Sequence, residues 1–159
     1  MLNEFRQDLV SGDWVLFATE RANRPYHPQN NKDEEYASKV GCPFEDPAGS
    51  GNEPVWFYPN EKEWRIAVVK NKFPALKPGV CGPESLTGPF KISPAVGDHD
   101  LFIYKDHDRH FADFSLDEMT EVVGAYKRRY KEIVSVDKCA RYVLIFHNFG
   151  REGGASIYH

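Results

Sequence analysis

The sequence predicts an α+β fold, a mostly antiparallel sheet with one long helix across a face. Three observations carry this. Short runs rich in aromatic and β-branched residues are separated by turn residues, which is the pattern of hairpins. A single segment, opening at Ser115, repeats apolar residues at helical spacing. The chain has 159 residues, 41% of them hydrophobic and 28% charged, enough for one domain with a sizeable core, and shows no internal repeat.

The elements follow in order. Residues 4–9 and 14–19 flank Ser11-Gly12-Asp13 and read as a first hairpin. Residues 25–35 are polar and rich in Asn and Asp, a surface loop. Residues 55–58 and 64–70 flank Pro59-Asn60-Glu61-Lys62 and read as a second hairpin. The stretch 77–98 is dense in Pro and Gly, so it reads as an excursion loop within the domain. Asp100-Leu101-Phe102-Ile103-Tyr104 is a further strand. Ser115 and Glu118 form a Ser-x-x-Glu capping box, each side chain able to satisfy a free N–H at the helix start. Leu116, Met119, Val122, Val123, Tyr126, Tyr130 and Ile133 then define one buried stripe. Lys127, Arg128, Arg129 and Lys131 read as a solvated face near the helix C-terminus, where cations are favoured. Residues 142–146 read as a strand that delivers Asn148 to a terminal glycine-rich loop.

Charge and composition exclude several classes. A net charge of −4 argues against a broad nucleic-acid-binding surface, which needs a basic footprint. No apolar run is long enough to span a bilayer, and no basic-then-apolar leader is present, so no membrane partner is expected. Cys42, Cys81 and Cys139 are odd in number and widely spaced, which does not read as a disulfide framework. A reducing cytoplasm is the expected compartment.

The chemistry concentrates at the end of the chain. Asn148-Phe149-Gly150 leads through Gly153-Gly154-Ala155-Ser156 to His159. Glycines let backbone N–H groups come close to phosphate oxyanions. A histidine beside such a cradle suits attack on phosphorus, proton transfer or metal ligation. Arg21 and Arg24 lie three apart after a strand, and a guanidinium fork binds phosphate oxygens bidentately at any working pH. A surface salt bridge is the plain alternative for either arginine.

The order Asn148, Gly150, Gly154-Ala155-Ser156, His159 resembles the galactose-1-phosphate uridylyltransferase family of the histidine-triad-like superfamily. Further segments match in the family's order: residues 4–8, 11–15 and 20–25, Gly41-Cys42-Pro43-Phe44, residues 51–54, residues 69–76, and Asp106-His107-Asp108-Arg109-His110 running into Phe114-Ser115-Leu116. The resemblance covers nearly the whole chain. It implies that residues 1–159 are an N-terminal nucleotidyltransferase domain with part of the active site outside them. In the family the loop continues into His-Pro-His-x-Gln, which makes His159 the first histidine and puts the nucleophile two positions beyond it. No catalytic nucleophile is then expected among these residues, and this chain alone should be inactive.

The resemblance also assigns a site. Arg21, Arg24, Asn148, Gly154 and Ser156 would meet the nucleotide phosphates, Asn71 a base edge or ribose hydroxyl, and Phe44 and Phe73 would sandwich the base. Many relatives hold zinc with a Cys-x-x-Cys pair and two histidines. Here Glu45 replaces the second cysteine, leaving Cys42, Glu45, His107 and His159 as the aligned set, with His107 preferred over His110. A carboxylate oxygen can ligate zinc, and exchanging thiolate for carboxylate hardens the site toward iron or weakens zinc. Two readings stand here: a zinc or iron centre, or ordinary loop residues without metal. The implied activity is a ping-pong transfer of a nucleoside monophosphate between sugar 1-phosphates through a histidine intermediate, as in a UDP-glucose–hexose-1-phosphate uridylyltransferase. The implied partners are a sugar nucleotide and a hexose 1-phosphate. Dimers are common in the family, which leaves a homodimer open. The alternatives are a nucleotide-binding module without catalysis, an adenylyl-transferring relative acting on ADP-sugars, and an interaction domain that binds no nucleotide.

Overall fold

The computed structural model describes residues 3–23, 39–149, 153, 155, 157 and 159. The expected loop at 25–35 lies outside the described residues. Among those residues the chain is α+β, with seven strands, all paired antiparallel in two sheets, and one long helix.

The first sheet has the order β2-β1-β6-β5. Strands β1 (Glu4–Gln7) and β2 (Trp14–Phe17) form the expected first hairpin. Its turn closes because Gly12 takes φ +79° and the Asp8 carboxylate accepts from Val10 N and Ser11 N. Strands β5 (Ser85–Thr87) and β6 (Phe90–Pro94) lie inside the stretch read as a loop, so that expectation is corrected. Leu86, Lys91 and Ile92 supply only a short pattern, and proline and glycine around it mask it. What makes the hairpin a strand pair is its docking on β1, through Glu4–Pro94 and Arg6–Ile92 pairings.

The second sheet has the order β3-β4-β7, from β3 (Pro54–Tyr58), β4 (Ile66–Lys70) and β7 (Asp100–Tyr104). Strand β4 is its centre. Ile66, Ala67, Val68 and Val69 are all buried, because both faces of the strand are covered. Ala67 and Val69 pack with Trp64 and Ile103 on one side. Ile66 packs with Val122 and Ala125 of helix α1 (Leu116–Val136) on the other. Each buried Ile or Val among them contributes roughly 1.5–3 kcal/mol by leaving water.

Helix α1 starts where expected. Ser115 Oγ accepts from Glu118 N, and Glu118 accepts from Ser115 N in return. The buried stripe is narrower than the sequence reading. Val122 and Ala125 are buried and Met119, Tyr126 and Ile133 partly so, while Leu116, Val123 and Tyr130 stay exposed. The helix rests on a three-stranded sheet that covers only one side of it. Arg129 is also corrected: it is not solvated but donates to Asp100 Oδ2 at 2.7 Å, with a side chain only 12% exposed.

Two other expectations change. Residues 142–146 form no strand, and Tyr142, Leu144, Ile145 and Phe146 are exposed. Their composition suits a ladder, but a strand needs a partner, and no ladder reaches them among the described residues. Cys81 and Cys139 are joined in a disulfide across 58 positions, with Cα atoms 5.6 Å apart. Sequence spacing could not show this, because the loop before β5 and the segment after α1 meet only in the fold.

Candidate active site

Three distant segments converge at one end of β7. A tight turn bonds Cys42 N to Lys39 O and Glu45 N to Cys42 O, setting Cys42 and Glu45 on neighbouring turns of one loop. Gly41 at φ +85° permits its curvature. His107 follows the last residue of β7 by three positions and is buried. His159 arrives against it, with Nε2 2.6 Å from the Tyr104 carbonyl oxygen. That carbonyl can only accept, so Nε2 carries the proton and Nδ1 presents a lone pair. Burial pushes His159 below its ordinary pKa, which keeps the ring neutral, as a metal ligand must be.

The donor atoms crowd that lone pair. Cys42 Sγ lies 3.5 Å from His159 Nδ1, His107 Nδ1 3.0 Å from it, and Glu45 Oε1 3.7 Å from it. Glu45 Oε1 also lies 2.9 Å from His107 Nδ1. Ligand atoms of Cys42, His107 and His159 fall within 4.8 Å of one another. Ligands held at 2.0–2.3 Å around a tetrahedral metal stand about 3.3–3.8 Å apart, and the contacts of 3.0, 3.5 and 3.7 Å around His159 Nδ1 lie within a few tenths of an ångström of that range. The donor set of thiol, two imidazoles and carboxylate fits zinc or iron. Hydrogen bonding of Nε2 to Tyr104 is the outer-shell contact that orients a ligating histidine. His110 lies outside the cluster, its Nδ1 accepting from Ala112 N at the start of a short 3-10 helix.

A cavity of about 710 Å³ opens at the other end of β7. Lys70, Asn71, Phe73, Lys77, Asp98 and His99 are among its walls. Its loop is braced from several directions. Arg21 Nη1 donates to Phe73 O at 2.7 Å, and Asn3 Nδ2 donates to Ala75 O at 2.9 Å. Ala75 N donates to His99 Nδ1, and Phe73 N donates to Asn71 Oδ1, both at 2.9 Å. Lys70 pairs with Asp98 and with Asp100, the latter at 3.1 Å, and Arg129 holds Asp100 from the helix. Five strand residues separate cavity from cluster, roughly 15 Å at the usual rise.

The sequence-derived site residues divide accordingly. Cys42, Glu45, His107 and His159 come together. Asn71 and Phe73 line the cavity, and Arg21 braces it. Phe44 does not line it. That ring packs on the core beside Trp64 and meets His159 edge-on, with ring centroids 5.6 Å apart. Asn148 is exposed, between His147, which stacks on Phe111, and Phe149, which meets His110. Arg24, Gly154 and Ser156 lie outside the described residues. Lys70 falls in the matched segment 69–76, while Asn3, Asp98 and His99 were missed. The run Asp98-His99-Asp100, three ionisable residues at the mouth of an apolar strand, was the available signal.

The chain as a whole has counterparts among known proteins. The family model for the galactose-1-phosphate uridyl transferase N-terminal domain matches residues 1–159. The chain belongs to this family. Among curated relatives, ADP-glucose phosphorylase of Arabidopsis thaliana is 29% identical over 164 residues, covering 98% of this chain and 46% of that protein. Galactose-1-phosphate uridylyltransferase of Thermotoga maritima is 26% identical over 160 residues, covering 98% of this chain and 44% of that protein. The chain therefore spans about half the length of the curated relatives it matches. A solved uridylyltransferase structure shares the fold, with TM-score 0.64 and 20% identity over 98% of this chain and 43% of that one. Among the described residues, no helix is long and apolar enough to cross a membrane.

Proposed function

We propose that residues 1–159 form the N-terminal, nucleotide-holding part of a uridylyltransferase of the UDP-glucose–hexose-1-phosphate type. The observation that carries this is the convergence of Cys42, Glu45, His107 and His159 from three separate segments, in a chain whose Asn71–Phe73 loop lines a nucleotide-sized cavity. In this reading the base enters the cavity against Phe73. Arg21 and Asn148 serve the phosphates, together with Arg24, Gly154 and Ser156. The reaction passes through a histidine intermediate, with sugar 1-phosphate leaving and a second sugar phosphate collecting the nucleotidyl group. The nucleophile is assigned to the histidine two positions beyond His159, so this chain alone binds without turning over.

Zinc or iron at Cys42, Glu45, His107 and His159 would supply a structural cross-link between the N-terminal loop and the glycine-rich loop. The distance to the cavity agrees with that role, because an ion at the far end of β7 cannot touch the base. Buried His107 and the Tyr104-bound His159 hold the two loops in register.

A second reading, transfer of an adenylyl group, is favoured by the 29% identity to ADP-glucose phosphorylase. Label exchange separates the readings. A chain continued through the assigned nucleophile should exchange label between a hexose 1-phosphate and its uridine nucleotide sugar, and residues 1–159 should not. Exchange with ADP-sugar alone would select the second reading. Exchange by residues 1–159 would show the nucleophile to be misassigned, with His147 and His159 the first residues to test.

A further inference from the structure

The Cys81–Cys139 bond sits where a clamp on the nucleotide cavity would sit. Pro78 and Lys77 belong to the cavity wall, and Cys81 follows three residues after Pro78. Cys139 begins the segment that leaves α1 and runs to Asn148. The bond joins these two regions, the base side and the phosphate side of the site in the reading above, on which this inference rests. Lys77 is anchored independently, through the Gly97 N–H to its carbonyl, a bridge to Val96 and an ion pair with Glu20. Residues beyond it have thinner support: Pro78 through Glu84 are exposed, and Gly82 meets only the Pro94 ring at 3.5 Å where a side chain would begin. Residues 141 and 142 and 144–149 are exposed and outside any ladder. The covalent link ties these two exposed stretches to each other.

The two sulfurs are not equivalent. Cys81 is exposed and Cys139 is partly buried. The Cys81 N–H donates to Cys139 Sγ at 3.2 Å, and the Cys139 N–H donates to Asp137 Oδ1 at 2.8 Å, which fixes the local backbone. An N–H aimed at Cys139 Sγ stabilises negative charge there, so Cys139 is the better leaving group and Cys81 the accessible target.

We propose that Cys81–Cys139 is a reversible thiol–disulfide clamp that orders the rim of the nucleotide cavity and opens by exchange with a dithiol reductant. A thiolate of the dithiol attacks Cys81 Sγ, and the S–S bond breaks. Cys139 leaves as a thiolate and takes up a proton. The reductant's second thiol then attacks the mixed disulfide, frees Cys81, and leaves the reductant oxidised. Two electrons and two protons pass to the protein, and oxidation reverses the sequence. Opening returns conformational freedom to both stretches, and a ligand that needs them ordered must repay that entropy.

The test uses the whole chain poised in a series of buffers of reduced and oxidised dithiothreitol, a dithiol. Thiol content by mass spectrometry, amide hydrogen exchange and a UDP titration are read on each sample. The expected result is a reversible transition between zero and two free thiols at these positions, with the fold retained. Exchange should rise in residues 78–84 and 138–149 and stay unchanged in β4 and β7. UDP should bind about threefold to tenfold more weakly in the reduced form. The double variant Cys81→Ser/Cys139→Ser should match the reduced protein at every redox poise. Free thiols throughout the series, or equal exchange in the two forms, would overturn the clamp. If exchange responds as expected but UDP and ADP bind neither form, the clamp stands and the nucleotide reading fails.

Discussion

Replacing Arg129 by methionine removes a cation from the inside of the helix–sheet joint and keeps most of the side chain's length. Its guanidinium donates to Asp100 Oδ2 at 2.7 Å, and the two side chains are 12% and 6% exposed. Deleting one partner of a buried pair strands the other charge, at a cost of about 3–5 kcal/mol. Two features lower that figure. Lys70 Nζ remains 3.1 Å from the other oxygen of Asp100, and the methionine stem keeps its packing on the sheet. A loss of about 2–3 kcal/mol results, or roughly 5–10 °C in melting temperature for a chain of this size. Urea unfolding followed by circular dichroism at pH 7 measures it, with exposed Lys127→Met as the control. Adding Asp100→Asn to Arg129→Met should recover about 1 kcal/mol or more, because the stranded charge is gone. If Arg129→Met unfolds within about 0.5 kcal/mol of the Lys127 variant, the pair is solvated after all and the reasoning is wrong.

Three further outcomes are expected. Ser115→Ala should cost about 1 kcal/mol in the same unfolding assay, since it leaves the Glu118 N–H without its capping acceptor; an unchanged midpoint would remove the capping box from the account. Hydrogen bonding from Arg109, and then from Ser115, holds Glu118 down to about 2 in the folded chain against 4.5 ordinarily. A depressed folded pKa gives stability that is complete above the unfolded value and lost as pH falls from about 5 toward 2, so Glu118→Gln should flatten that limb of a stability–pH profile. Protein purified without chelator should contain close to one zinc or iron per chain, lost in Cys42→Ser and reduced in Glu45→Ala; a metal-free sample whose melting ignores added zinc would reduce the four residues to ordinary loop chemistry.

Local pattern and family order made different parts of the molecule legible. The first hairpin, β4, β7 and the cap of α1 were visible because alternation, a buried apolar run and a Ser-x-x-Glu motif act within a few residues. The β5–β6 hairpin was not, since it joins the sheet only by pairing β6 with β1, nearly ninety positions away. Arg129 and the Cys81–Cys139 bond were misread for the same reason, as their partners are set by tertiary contact alone. Residues 142–146 show the converse, a strand-like composition that acquires no partner. Cys42, Glu45, His107 and His159 were found only through ordered resemblance, because nothing in their spacing of 3, 62 and 52 positions signals a shared site. Phe44 was placed by resemblance too, and its packing against Trp64 and His159 takes it away from the cavity.

The central claim is that this chain carries a nucleotide pocket beside the Asn71–Phe73 loop, and a calorimetric titration of UDP and ADP into the folded, metal-supplemented chain tests it most directly. Weak saturable binding of one nucleotide over the other is expected, abolished or markedly weakened by Phe73→Ala, which removes the base contact, and weakened by Arg21→Met, which frees the Phe73 carbonyl. Heats for UDP and ADP indistinguishable from buffer, on protein shown to be folded, would contradict it.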